Sequence, residues 1–238
     1  MKFIHRTAGV FVVLCLFAAG SEAALHSKIQ TVIQSISSER VEGLLKTFEN
    51  FQTRNLLSSD REGFGIKAAA DWIKKEFETA NPDMNVYLDR FFLPKQGRRL
   101  TADIELINVV AVLPGKNEGK DEERIFLMNA HYDTISRSSD GRFHYDDADT
   151  PAPGINDDAS GVAALIETAR AFRGLDADAT IYFVAFAGEE MGLIGSTLMA
   201  ARMKKEKKNI VGVLTLDMIG NIYGGGAVSY THLRDHET

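Results

Sequence analysis

Three apolar stretches of this chain, Arg124 to Ala130, Thr180 to Ala187 and Ile210 to Leu216, each run out beside a histidine or an acid. Thr180 to Ala187 is apolar on both faces, as a central parallel strand covered by helices should be. The first stretch leads into His131-Tyr132-Asp133, the second into Glu189-Glu190 and the third into Asp217-Met218. A fourth polar segment, Pro153 to Gly161 with the pair Asp157-Asp158, precedes a helical pattern. Open α/β sheets bind ligands in the crevice at the carboxyl ends of their strands, so these side chains are expected to converge there. Taken singly, an acidic pair reads as a solvated face or a helix cap and a lone histidine as a satisfied core residue. Three such segments at the strand ends of one sheet, with the fourth in the loop before a helix, point to an enzyme site.

The remaining pattern supplies the layers around that sheet. Ile29, Ile33 and Ile36, followed by Val41, Leu44, Leu45 and Phe48, recur at helical spacing between Ala24 and Thr53. A second helix is expected from Ile66 to Glu78, with Ala69, Trp72, Ile73 and Phe77 on one face and Trp72 in the core. Asn85 to Phe92 and Asp103 to Leu113 read as strands, with Pro114-Gly115 as the breaker. Val162, Leu165, Ile166, Ala169 and Phe172 form the stripe of a further helix that Gly174 ends. Leu198, Met199 and Met203 mark another, closed by the solvated lysines 204, 205, 207 and 208. The acidic segment Asp140 to Asp149 reads as a solvated loop. With 238 residues and 45% hydrophobic content the chain can bury one sizeable core. A net charge of −6 leaves no basic footprint for nucleic acid.

The N-terminus has the layout of a secretory signal. Lys2 and Arg6 form a positive n-region before an apolar run from Ala8 to Ala19, and Ser21-Glu22-Ala23 offers small residues for cleavage. Residues 1–23 are therefore expected to be a signal peptide and the protein to be secreted or periplasmic. The run is shorter than the roughly 20 residues that span a bilayer, so no stable membrane span is expected. Cys15, the single cysteine, falls inside it.

Alternation along a strand puts His131 and Asp133 on the same side. His131 suits zinc, and Asp133 is placed to hold its other ring nitrogen, which would fix the tautomer. The order of motifs from roughly Arg54 to Gly220 resembles the M28 family of zinc peptidases. The resemblance implies a three-layer α/β/α sandwich with a mixed, mostly parallel central sheet and two Zn2+ ions per complete domain. By the same resemblance Asp157 bridges both ions, and His131 and Asp217 complete the first site. Glu190 serves the second, and Glu189 is the general base with Asp133 behind the histidine. Asp158 is then a helix cap or a supporting group. The implied reaction is hydrolysis of N-terminal peptide bonds of peptides or small proteins through a metal-bound hydroxide. A carboxypeptidase, a glutaminyl-cyclase-like relative and a non-catalytic binding ectodomain share the fold as alternatives. The resemblance dissolves after Asn221-Ile222-Tyr223, before the family's last histidine ligand. Residues 24–53 are thus expected to be a helical segment or propeptide, 54–223 an incomplete peptidase domain and 224–238 a non-native tail. His232 and His236 are the histidines in that tail.

Overall fold

The computed structural model describes residues 27–120, 123–138, 140–145 and 147–220, together with the backbone of 229–231. The signal-like residues 1–23 and most of the tail lie outside these described residues. Residues 27–35 form a helical segment in a unit that ends at Ser37, and the sheet belongs to a second unit starting at Ser38.

That second unit is built from helices α1 (Ser38–Asn50), α2 (Gly65–Ala80), α3 (Ser160–Ala171) and α4 (Ile194–Lys205) and from a six-stranded sheet. The strands are β1 (Asn85–Leu93), β2 (Ile104–Leu113), β3 (Ile125–His131), β6 (Thr180–Phe186), β7 (Ile210–Thr215) and β8 (Ser229–Thr231). They lie in the order β1-β2-β6-β3-β7-β8. β6, β3 and β7 pair in parallel, while β1/β2, β2/β6 and β7/β8 are antiparallel. Four strands, β1, β3, β6 and β7, thus run one way, which is the mixed, mostly parallel sheet expected from the sequence. A small hairpin of β4 (Ser136–Arg137) and β5 (Phe143–His144) puts its second strand inside Asp140 to Asp149, the segment read as a solvated loop.

The two-residue period of the strands divides the core between the two faces. Val109, Ala111, Leu113, Met128, Ala130, Phe183 and Ala185 join the larger cluster with α1, α2 and α3. Their neighbours Val110, Val112, Ile125, Leu127, Val184 and Phe186 join the smaller one with Met199 and Met203 of α4. α2 buries Ile66, Ala69, Ala70, Ile73 and Phe77 at spacings of three and four. α1 adds Leu44 and Phe48 to the same core. Trp72 is only partly buried, contrary to expectation. Its ring packs edge-on against Phe48 at 4.9 Å and against Phe51, and the deepest positions of the helix face fall to Ile73 and Phe77.

Candidate metal centre

Because β6, β3 and β7 are parallel neighbours, the loops leaving them open on the same edge of the sheet. Phe186 pairs with His131 in register, and Thr215 with Asn129. The next residues of those strands carry the acids. The fourth segment arrives through Gly154, whose left-handed backbone (φ 49°, ψ 49°) turns the chain into the irregular helical turn Ile155–Ala159 ahead of α3. A Cβ at Gly154 would sit 2.3 Å from Thr134 Cγ2 and 2.4 Å from the Asp157 carbonyl, so the close approach requires glycine. The Asp157–Asp158 peptide is cis.

His131, 5% exposed, sits at the centre of the acids. Its Nε2 lies 3.1 Å from Asp157 Oδ1, 4.0 Å from Asp217 Oδ1 and 4.0 Å from Glu189 Oε2. Ligand atoms of His131, Asp157 and Asp217 all fall within 4.8 Å of one another, the one such group among the described residues. One imidazole with two carboxylates is a nitrogen and oxygen donor set that suits zinc, and three protein ligands leave a position open for water or substrate. The surrounding negative charge suits a cation as well. Burial works against a charge on His131, but hydrogen bonding to Asp133 and Asp157 outweighs it and holds the imidazolium up to about 11. Hydrogen bonding to His131 keeps the Asp157 carboxyl below its ordinary value. Glu190 is pushed up to about 7 by burial and by its neighbours Asp157 and Asp133, and burial raises Glu189 too.

Two buried carboxylates brace the loops. Asp158, fully buried, accepts N–H hydrogen bonds from His131 (3.1 Å), Gly161 (2.9 Å) and Met218 (3.1 Å), tying the ends of β3 and β7 to the start of α3. Burial pushes its carboxyl up to about 7. Asp133 accepts from the backbone N–H groups of Glu189 (3.0 Å) and Glu190 (3.1 Å). The expected clasp on the imidazole is looser than the sequence implies. His131 Nδ1 is 3.2 Å from the Asp133 carbonyl oxygen and 3.5 Å from its carboxylate Oδ1, because the carboxylate is taken up by the Glu189-Glu190 turn. Glu190 stands outside the three-ligand group. It lines, with Thr134, Arg137, Gly154, Asp157 and Met218, a cavity of about 530 Å³ on one side of the centre. A second cavity of about 310 Å³ is walled by Leu127, Phe186, Met199, Met203 and Val213 and opens on His131, Glu189 and Asp217.

The sequence profile described as "Peptidase family M28" matches residues 108–234, and this span holds every one of the site residues just described. The chain belongs to peptidase family M28. A probable zinc metalloprotease of Pyrenophora teres f. teres is 36% identical to this M28 chain over 199 residues, covering 81% of the chain and 41% of that protein. One from Pyricularia oryzae is 37% identical over 201 residues, covering 82% and 38%. The chain therefore spans about two-fifths of the length of these curated relatives. Among solved structures, LapB from Legionella pneumophila superposes with a TM-score of 0.60 at 24% identity, covering 82% of this chain and 48% of that one. A glutaminyl cyclase from an Acidobacteriales bacterium gives 0.59 at 23%, covering 77% and 59%. A Zn-dependent exopeptidase from Parabacteroides distasonis gives 0.61 at 19%, covering 78% and 62%. These structures share the M28 chain's fold.

Sequence reasoning overlooked two buried polar residues that hydrogen-bond the backbone around the M28 site. Asn108, buried in β2, accepts from the Ala187 N–H at 3.1 Å and donates to the Gly195 carbonyl at 3.1 Å, fixing the start of the glutamate loop against α4. A lone amide inside the apolar run of β2 was its available signal. Arg54 is also fully buried, and its sequence context, between two helical patterns, carries no such signal.

Proposed function

We propose that this chain carries the metal centre of an exported M28 aminopeptidase, with His131, Asp157 and Asp217 holding one zinc ion and Asp157 and Glu190 contributing to a second. The observation that carries the reading is the convergence of the His131, Asp157 and Asp217 donors at the ends of β3 and β7 and before α3. Bound zinc supplies Lewis acidity, which polarises the scissile carbonyl and makes water acidic enough to attack at neutral pH. Glu189 reaches the centre without joining the ligand group, 4.0 Å from His131 Nε2. It takes the proton of the attacking water and passes it to the leaving amine nitrogen, and its burial raises its proton affinity toward that task. Asp133 holds the Glu189 backbone, so the base is presented from a fixed turn. No described helix is long and apolar enough to cross a membrane. Export rests on residues 1–23.

Separate removal of the two glutamates tests the division of labour. Glu189→Gln is expected to keep the zinc content of the parent and to lose at least about 100-fold in turnover of aminoacyl amides, the usual scale for a general base. Glu190→Gln is expected to lower zinc content instead, as read by elemental analysis beside the rate. Equal zinc and equal residual rates in both variants contradict the assignment. Turnover of N-terminal glutaminyl peptides, with none of aminoacyl amides, would replace the aminopeptidase reading with cyclisation.

A further inference from the structure

The Arg54 side chain lies fully buried beneath the loops that carry the site acids, yet it is outside the His131, Asp157 and Asp217 donor group and lines neither of the two cavities at the site. Its Nε donates to the Tyr132 carbonyl at 2.5 Å, Nη1 to Pro153 at 2.5 Å and Nη2 to Gly154 at 3.0 Å. Its own backbone N–H donates to Thr134 Oγ1 at 2.8 Å, and its carbonyl accepts from the Thr134 N–H. One guanidinium thus grips the chain between His131 and Asp133 and the chain three and four residues before Asp157. These are the two backbone segments whose spacing sets the 3.1 Å approach of His131 Nε2 to Asp157 Oδ1.

A buried charge is costly unless it is paired, and among the described residues the guanidinium is met by backbone carbonyls rather than by a carboxylate salt bridge. Burial does lower its pKa to about 10, and the nearby charges of Asp133, Asp158 and Asp157 oppose that fall, so the group stays charged at neutral pH. Hydrophobic packing alone would be met more cheaply by methionine or leucine. A planar fork with donors in three directions is what three separate carbonyls need, and an ammonium on a flexible stem cannot reproduce it. We propose that Arg54 is a positioning residue of the metal centre, setting the distance between the His131 and Asp157 segments and offsetting the charge of the carboxylates that brace them. The inference rests on the reading of His131, Asp157 and Asp217 as zinc ligands.

The test separates metal affinity from stability in the 238-residue chain. Zinc dissociation constants come from competition with a chromophoric chelator, and stability from urea unfolding of the chelated protein, for the parent, Arg54→Lys and Arg54→Met. Phe77→Leu, a core change in α2, serves as a control for lost stability without lost positioning. Supporting ligands typically affect metal affinity by about 10–100-fold, and Arg54→Met is expected to weaken zinc binding on that scale. Arg54→Lys should recover part of the loss by keeping the charge, while Phe77→Leu lowers stability with zinc affinity unchanged. Folded Arg54 variants with the zinc affinity of the parent would overturn the proposal. So would failure of both variants to fold, which would assign Arg54 to the fold alone. A parent chain that takes up no zinc would overturn the metal reading itself, and this inference with it.

Discussion

Asp158 shows how one side chain can matter to a site it does not line. Its two oxygens serve three backbone N–H groups, and the bonds from His131 and Gly161 are buried with the carboxylate itself, so those donors have no water to turn to. Substitution by asparagine keeps the volume but replaces one acceptor with an NH2 group that faces an N–H. Leaving a buried donor unsatisfied costs about 1–3 kcal/mol, and Asp158→Asn is expected to lose that much in urea unfolding of the chelated protein. Stability unchanged from the parent would show that the hydrogen-bonded brace is not what Asp158 provides. The sequence supports a cap or supporting role for this residue, and its bond to Gly161 N–H at the start of α3 fits that reading. The bonds to His131 and Met218 come from segments 27 and 60 residues away, and no local pattern encodes them.

At the scale of elements, the site depends on how closely α3 approaches the end of β7. A Cβ at Gly161 would fall 2.6 Å from both Asp158 carboxylate oxygens and 2.6 Å from the Leu216 carbonyl. Backbone cannot yield as a flexible side chain can, so Gly161→Ala is expected to destabilise the chelated protein by about 1–3 kcal/mol. Gly43→Ala, on the exposed face of α1 with nothing within 4 Å, should be neutral or stabilising by up to about 1 kcal/mol. Equal effects at the two positions in urea unfolding would refute the close-packing argument. Periodicity made the helices and strands legible here, since β3, β6 and β7 begin and end within a residue of where their apolar runs do. The short hairpin of Ser136–Arg137 with Phe143–His144 was not legible, because two-residue strands have too few residues to show alternation. Nor could composition separate the buried guanidinium of Arg54 from an exposed one. The helical pattern from Ala24 to Thr53 hid a break at residues 36 and 37, because the apolar spacing continues across it.

For the whole molecule, protons and zinc compete for the same centre. Asp158 and Glu190 hold their protons to about 7 in the folded chain, against 3.8 and 4.5 ordinarily, and His131 holds its proton to about 11 against 6.5. Raised values mean that the folded state binds protons more tightly than the unfolded one, so this stabilisation is complete at low pH and is lost as pH rises through the folded values. Asp157 and Asp140 are shifted the other way and act only at more acidic pH, below the ordinary aspartate range. The chelated protein is therefore expected to melt at lower temperature as pH rises from about 5 to about 8. Zinc requires a neutral imidazole and ionised carboxylates, so the gap between zinc-loaded and chelated melting temperatures should widen over that range. A gap that narrows would contradict the linkage.

The most direct measurement of the central claim is the position of zinc in the 238-residue chain, by anomalous scattering at the zinc edge in crystals grown with the ion. The donors described here predict one strong site within about 2.0–2.2 Å of His131 Nε2 and of carboxylate oxygens of Asp157 and Asp217. His131→Ala should abolish that peak. It should also remove the thermal stabilisation by zinc, which amounts to about 2.7 kcal/mol when free zinc is 100 times its dissociation constant. A second peak between Asp157 and Glu190 should be weaker, since those are the donors for it among the described residues. No zinc on His131 in the parent chain, or the same peak and the same stabilisation in His131→Ala, would contradict the account.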